Sequence, residues 1–258
     1  SAEFGFKSPW MWTAFKSSWA LFAGIGLIMV GNGLQGSLLG VRASWESFGS
    51  QAVGLIMSAF YVGFVFGSAY TPNVVRAVGH IRVFAAWASL ASAAVLLHGV
   101  IVEPAVWVGM RFVTGFAYAG MYVVAESWLN DRSDNTIRGA VMSLYMVVQY
   151  AGLAAGQLLL NASDPGGFVL FILVSILVSL ALVPISLSSS PAPLFDSSEK
   201  VTLRELFRLT PFGLAACAAA GLTTGALLGM GSVYAQLIEL SVMETSYFMG
   251  MLILGGVA

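Results

Sequence analysis

The sequence predicts an all-α integral membrane protein, and three observations predict it. Its 258 residues are 58% hydrophobic and only 9% charged, with a mean hydropathy of +0.87. Apolar windows of about 20 residues, enough at 1.5 Å per residue to cross some 30 Å of hydrocarbon, recur along the whole chain. Two of those windows open on a similar motif while running in opposite directions. Soluble domains carry about a quarter charged residues, so the composition excludes a water-soluble fold and a disordered chain. Eleven Lys and Arg against 12 Asp and Glu leave a net charge of −1, which offers no field for nucleic acid.

Residues 1–10 open as Ser1-Ala-Glu-Phe4, resembling a cloning remnant, and Met11 reads as a native start. The first apolar run, 19–39, is too long for the core of a cleavable signal peptide. Further spans are expected at 52–74, 82–102, 105–127, 139–160, 167–187 and 211–238. An eighth begins near Tyr247 and meets Ala258 after about a dozen residues, too few to cross, so the sequence reads as part of a longer chain. The cations set an orientation. Lys7, Lys16, Arg76, Arg82, Arg132, Arg138, Lys200, Arg204 and Arg208 all fall before the first span or in even-numbered connections. The positive-inside rule then makes the N-terminus cytoplasmic, in a multi-pass protein of the cytoplasmic (inner) membrane. The sequon at Asn161 would face outward, although such tripeptides are common by chance.

Three units follow: a six-span bundle over 11–187, a cytoplasmic linker over 188–209, and the start of a second bundle over 210–258. The linker is rich in Ser and Pro. Thr202 and Glu205 form a capping-box pattern that would open a short interfacial helix, with Leu206 and Phe207 opposite Arg204 and Arg208. Cys217 is the only cysteine, so neither an internal disulfide nor a cysteine metal site is expected.

The motif Gly54, Met57, Ser58, Phe60 opens the second span, and Gly139, Met142, Ser143, Tyr145 opens the fifth, 85 residues on. Small residues four apart follow in both, Gly63 and Gly67 in one and Gly152 and Gly156 in the other, the pattern that lets helices approach closely. Three spans separate the copies, so they cross the membrane oppositely. Inverted three-plus-three repeats of this kind are typical of secondary transporters.

Six spans, a linker and a second bundle resemble the major facilitator superfamily, and four local features carry the resemblance. The run from Gly67 through Arg76 to Gly79 and Arg82 is similar to the superfamily's loop signature. Arg111 and Gly115 match its Arg-x-x-x-Gly pattern in the fourth helix, and Arg138-Gly139 matches the pair that opens the fifth. The run from Glu126 to Asp131 resembles a tag of the YcaD-like branch. The usual carboxylate of the loop signature is missing from Ser68-Ala-Tyr-Thr71, so Glu126 or Asp131 is expected to partner Arg76, Arg82 or Arg138 at a cytoplasmic gate. The resemblance implies first and fourth helices lining a central cavity, with the remaining spans of a longer family chain beyond Ala258.

Arg111 is the sharpest signal within a span, where a cation costs about 2.5–3.5 kcal/mol on insertion scales. Its depth matches Asn32 and Gln35 on the first span, giving a candidate polar cluster; the alternative is a guanidinium that snorkels to the outer interface. Arg111, Gly115, Tyr118 and Tyr122 recur at helical spacing on one face. Gln149 shares a stripe with Tyr145 and Gly152, and these aromatic and amide groups are either cavity wall or interhelical packing. Glu126 is either a protonatable coupling group or a gate residue. His80 and His98 have no partner at metal-ligand spacing, and no phosphate loop or nucleophile elbow is present, so no cofactor, metal or enzyme activity is expected.

These features point to a secondary active transporter of a small molecule, working by alternating access and coupled to protons through Glu126. The sparse intramembrane charge favours a neutral, amphipathic or weakly anionic substrate. The alternative is a membrane assembly or chaperone-like protein that uses the same fold to hold a partner complex. The lipid bilayer is the one certain partner; oligomeric state is not readable.

Overall fold

The computed structural model describes residues 9–133, 136–187 and 203–256, which are helical with short connections. In chain order the helices are α1 (Pro9–Trp45), α2 (Ser50–Val78), α3 (His80–Val100), α4 (Pro104–Asp131) and α5 (Arg138–Leu158). A 3₁₀ turn (Leu159–Ala162) extends α5, and α6 (Val169–Leu180), α7 (Leu182–Ser186), α8 (Leu203–Leu209), α9 (Pro211–Leu237) and α10 (Val242–Gly255) follow. Among the described residues seven stretches are long and apolar enough to cross a membrane: α1 to α5, α6 with α7 as one stretch, and α9. A bilayer offers no water to backbone groups, so each crossing must satisfy its own amides, which a helix does. The face on which α1 begins is called the near face below, and its opposite the far face.

Two helix pairs are packed most intimately, α2 on α4 and α1 on α5. An inverted repeat that carries α1 onto α4 and α2 onto α5 exchanges these two pairs. Glycine produces both contacts. A Cβ on Gly63 or Gly67 would fall under 3 Å from the carbonyl oxygens of Phe112 and Phe116, and one on Gly115 would meet the Phe60 carbonyl in the same way. In the other pair, Gly156 seats against the Val30 carbonyl, Gly152 against the Met29 side chain and Gly33 against the Leu153 carbonyl. The 85-residue offset carries Gly67 onto Gly152 (67 + 85), so the repeated motif is also a repeated contact. Lipid supplies no hydrophobic drive between helices, and the close approach gains dispersion along two backbones instead.

Around these pairs, α3 packs on α4 and α6, α10 on α5, and α9 on α1 and α2. The core between the first six spans holds Ile25, Ile28, Leu34, Phe84, Trp107, Met121, Trp128 and Phe171, all under 2% exposed. On the far face, Arg42 pairs with Glu46 at 2.7 Å and donates to the Pro165 carbonyl at 3.3 Å, tying the end of α1 to the connection before α6.

Several boundaries differ from those the hydropathy windows set. α2 runs through Pro72 to Val78, so the loop signature is helical except for Gly79, whose φ of +87° makes the whole turn into α3. Only glycine adopts that conformation without strain. The sixth crossing is broken at Ala181. The helix expected near Tyr247 begins instead at Val242, because Ser241 and Glu244 form a reciprocal capping box, which satisfies two otherwise orphaned amides. Most of the expected linker, including the Thr202 cap, lies outside the described residues; α8 is the part described, with Arg204, Phe207 and Arg208 exposed.

The glycine contacts predict a contrast within one helix. Gly115→Ala forces the Phe60 backbone away from α4 and should lower the thermal unfolding midpoint in detergent, by the 1–3 kcal/mol typical of overpacking. Gly109→Ala, six residues before it on an open face with nothing within 4 Å of the new Cβ, should not lower the midpoint. Differential scanning fluorimetry of the two variants makes the comparison.

Candidate functional site

A cavity of about 140 Å³ lies where α1, α2, α4 and α5 meet α9 and α10. Its polar wall is Asn32, Ser37, Tyr61, Arg111 and Gln157; Phe60, Leu153, Leu228, Met249 and Ile253 supply the apolar wall, and Gly33, Gly36 and Gly229 leave the space. Arg111 stands seven residues into α4, about 10 Å along the helix axis. It is 5% exposed, and its guanidinium carbon lies 4.4 Å over the centre of the Phe60 ring. The side chain therefore turns inward and does not snorkel. Nε and Nη1 are buried without a hydrogen-bond partner, and among the described residues the one ion pair is Arg42 with Glu46. A cation–π contact is worth about 0.5–2 kcal/mol, against an insertion cost of about 2.5–3.5 kcal/mol, so Phe60 offsets part of the cost and leaves the rest.

The other residues read from the sequence fall into three groups. Asn32 lines the cavity with Arg111, but its amide donates to the Tyr122 hydroxyl at 3.2 Å, and Tyr122 in turn contacts the Met29 sulfur. Gln35 is fully buried with neither amide atom partnered and does not border the cavity. Tyr118 is fully buried, its ring 6.1 Å from Phe60 and its hydroxyl unpartnered. Gln149 bonds Tyr145, whose hydroxyl donates to Glu126 Oε1 at 3.0 Å.

The arginines expected at the gate stand elsewhere. Arg76 bonds Asn73 within its own helix, Arg138 donates to the Ser133 carbonyl at 3.4 Å, and Arg82 is exposed. No ion pair joins any of them to Glu126 or Asp131 among the described residues. The physical reason is geometric: Glu126 faces α5 and finds Tyr145, while Asp131 sits at the exposed end of α4 near His80 and Arg132.

Sequence reading missed Phe60, Ser37 and Gln157. Gln157 is 3% exposed and joins three helices. Its amide donates to the Gly33 carbonyl at 2.9 Å, it accepts from Ser37 at 2.5 Å, and its own carbonyl accepts from Ser246 of α10 at 2.7 Å. Asn161 adds a bond to Ser246 at 2.9 Å, so the sequon amide is spent on packing. Trp45 donates to Gln236 of α9 at 3.1 Å. These contacts all lie toward the far face. Between α2 and α9 lies an apolar groove of about 840 Å³, bordered from Gly54 to Val65 on α2 and from Ala218 to Met230 on α9, and sharing Tyr61 and Gly229 with the Arg111 cavity. Helix α9 is largely exposed until residues 229–235.

An all-α membrane bundle built as an inverted repeat, with a polar-walled cavity against a second helix set, defines the class to which the fold belongs. The family model described as Major Facilitator Superfamily matches residues 21–258, and the chain belongs to that superfamily. It is 22% identical over 239 residues to a protein of Escherichia fergusonii named "Uncharacterized MFS-type transporter YcaD". Proteins of the same name from Escherichia coli O45:K1 and Salmonella arizonae are 24% and 23% identical. Each alignment covers 92% of this chain and 63% of the relative, so the chain spans a little under two thirds of their length.

Gln157 supports a prediction about the far-face junction. Gln157→Ala leaves the Ser37 hydroxyl without its acceptor and removes the second bond to the Gly33 carbonyl, a loss of about 1–3 kcal/mol. Ser37→Ala made in that background should add little, because the two groups share one bond. Thermal midpoints of the two single variants and the double variant give the coupling.

Proposed function

We propose that this protein is a secondary active transporter that moves a small solute by alternating access, with its N-terminus in the cytoplasm of a cell whose inner membrane it spans. The observation that carries the reading is the cavity holding Arg111 between two helix sets that are hydrogen-bonded to each other toward the far face. The cation distribution makes the near face the cytoplasmic one in this proposal. Rocking of one set against the other would break the bonds of Ser246 and Trp45 and close the groove between α2 and α9. The relatives named as transporters support the same reading.

Glu126 is the coupling group in this proposal. It is a carboxylate on a crossing helix whose hydrogen-bond partner is a hydroxyl, Tyr145, which can donate to the anion or accept from the acid. A carboxylate tied to arginine would stay charged; this one is free to take a proton.

The test is transport by the protein reconstituted in liposomes that carry a pH-sensitive dye. A panel of organic anions, sugars and amino acids is added under an imposed proton gradient. Wild type is expected to accumulate at least one class with proton entry. Arg111→Ala should abolish uptake, while Glu126→Gln should keep solute exchange between equal pools and lose accumulation driven by the gradient. Uptake at wild-type rate by Arg111→Ala would remove the cavity from the mechanism.

A further inference from the structure

Arg111 is buried with two nitrogens unpartnered. A guanidinium has five donors, no acceptor and a permanent charge. The Tyr118 hydroxyl, packed on the same Phe60 ring, is also buried without a partner and is free to donate. Among the described residues no carboxylate forms an ion pair with Arg111, and Glu126 is fifteen residues farther along α4, about 22 Å at the helical rise. Asn32, the other polar group at hand, spends its amide on Tyr122. The site thus offers a fixed positive charge without a counter-charge. What completes it chemically is an anion.

Shape limits which anion. The charge is single, so a doubly ionised phosphate would remain half-neutralised in a space where uncompensated charge is expensive. The guanidinium fork matches two coplanar oxygens, the geometry of a carboxylate. Opposite the polar wall stand Leu153, Leu228, Met249 and Ile253, which favour an apolar body. The volume of about 140 Å³ is close to that of an apolar protein cavity known to take a benzene ring, about 150 Å³.

We infer that the cavity binds a small organic monocarboxylate whose carboxylate meets Arg111 and whose apolar body, about the size of one six-membered ring, packs against Leu153 of α5, Leu228 of α9 and Met249 of α10. This rests on the transporter reading for its purpose, and on the geometry alone for the binding. Leu153 comes from one helix set and Leu228 and Met249 from the other, so a bound acid would bridge the two sets that the proposed cycle moves.

Isothermal titration of the protein in lipid nanodiscs tests the inference with sodium benzoate, benzamide and inorganic phosphate. Benzoate is expected to bind at least about tenfold more tightly than benzamide, its neutral isostere, and phosphate to give no measurable heat. Arg111→Gln should lose at least about tenfold in benzoate affinity, and Arg111→Lys should fall between, since it keeps the charge and loses the fork. If Arg111→Gln does not fold, the comparison of benzoate with benzamide on the wild type still decides. Equal affinity for the two, or no binding of benzoate by folded wild type, overturns the inference. Benzoate binding without transport of any solute would leave the site standing and remove the transporter reading, whereas transport of another class without benzoate binding would do the reverse.

Discussion

The seating of the Phe60 carbonyl against Gly115 is the contact on which the cavity depends. Gly115 lies one helical turn after Arg111, so the lack of a Cβ there lets α2 approach α4 at the level where the cation stands. The approach brings the Phe60 ring beneath the guanidinium at 4.4 Å and carries Tyr61 into the cavity wall. A larger residue at 115 would part the two helices and withdraw the one group that partly compensates the charge. Packing and polarity are thus set by the same residue, and the Arg-x-x-x-Gly spacing is a mechanical requirement as well as a family mark.

The contrast between Gln157 and Arg111 separates a structural polar group from a functional one. Both are nearly buried in a medium where an unpaired polar atom is costly. Gln157 has its amide, its side-chain oxygen and its backbone carbonyl all engaged, and it holds α1, α5 and α10 together. Arg111 has an aromatic face and little else. A fold that satisfies one and leaves the other open, within the lining of one cavity, concentrates its unspent interaction energy at Arg111.

Much of this was legible in the sequence because hydropathy reports the partition between water and lipid, which fixes the existence of every crossing helix. It does not fix their ends. The windows stop where hydrocarbon stops, while α1 runs on to Trp45 and α2 to Val78, because helices continue into the polar zone when their caps allow it. Ser241 and Glu244 carried a readable capping signal that lay hidden in a gap between apolar windows. Arg111 stood out because a lone cation in a span has few innocent explanations. Phe60 did not, since a phenylalanine facing a cavity and one facing lipid have the same local sequence. Ser37 and Gln157 needed the register of α1 against α5, which the small-residue pattern suggested without locating. The arginine pairs expected at the gate failed because sequence places residues at a membrane face without giving their azimuth around each helix.

The central claim is that the two helix sets, joined by contacts near the far face, rock against each other about the Arg111 cavity. Spin-label distances measured by double electron–electron resonance in nanodiscs test it most directly, with Cys217 replaced and label pairs at Gln51 with Glu239 and at Val65 with Ala218. The account predicts two populations in which the distances are anticorrelated: a short first pair with a long second pair, and the reverse. One unchanging distribution at both pairs, with and without a proton gradient or an added organic acid, would contradict it.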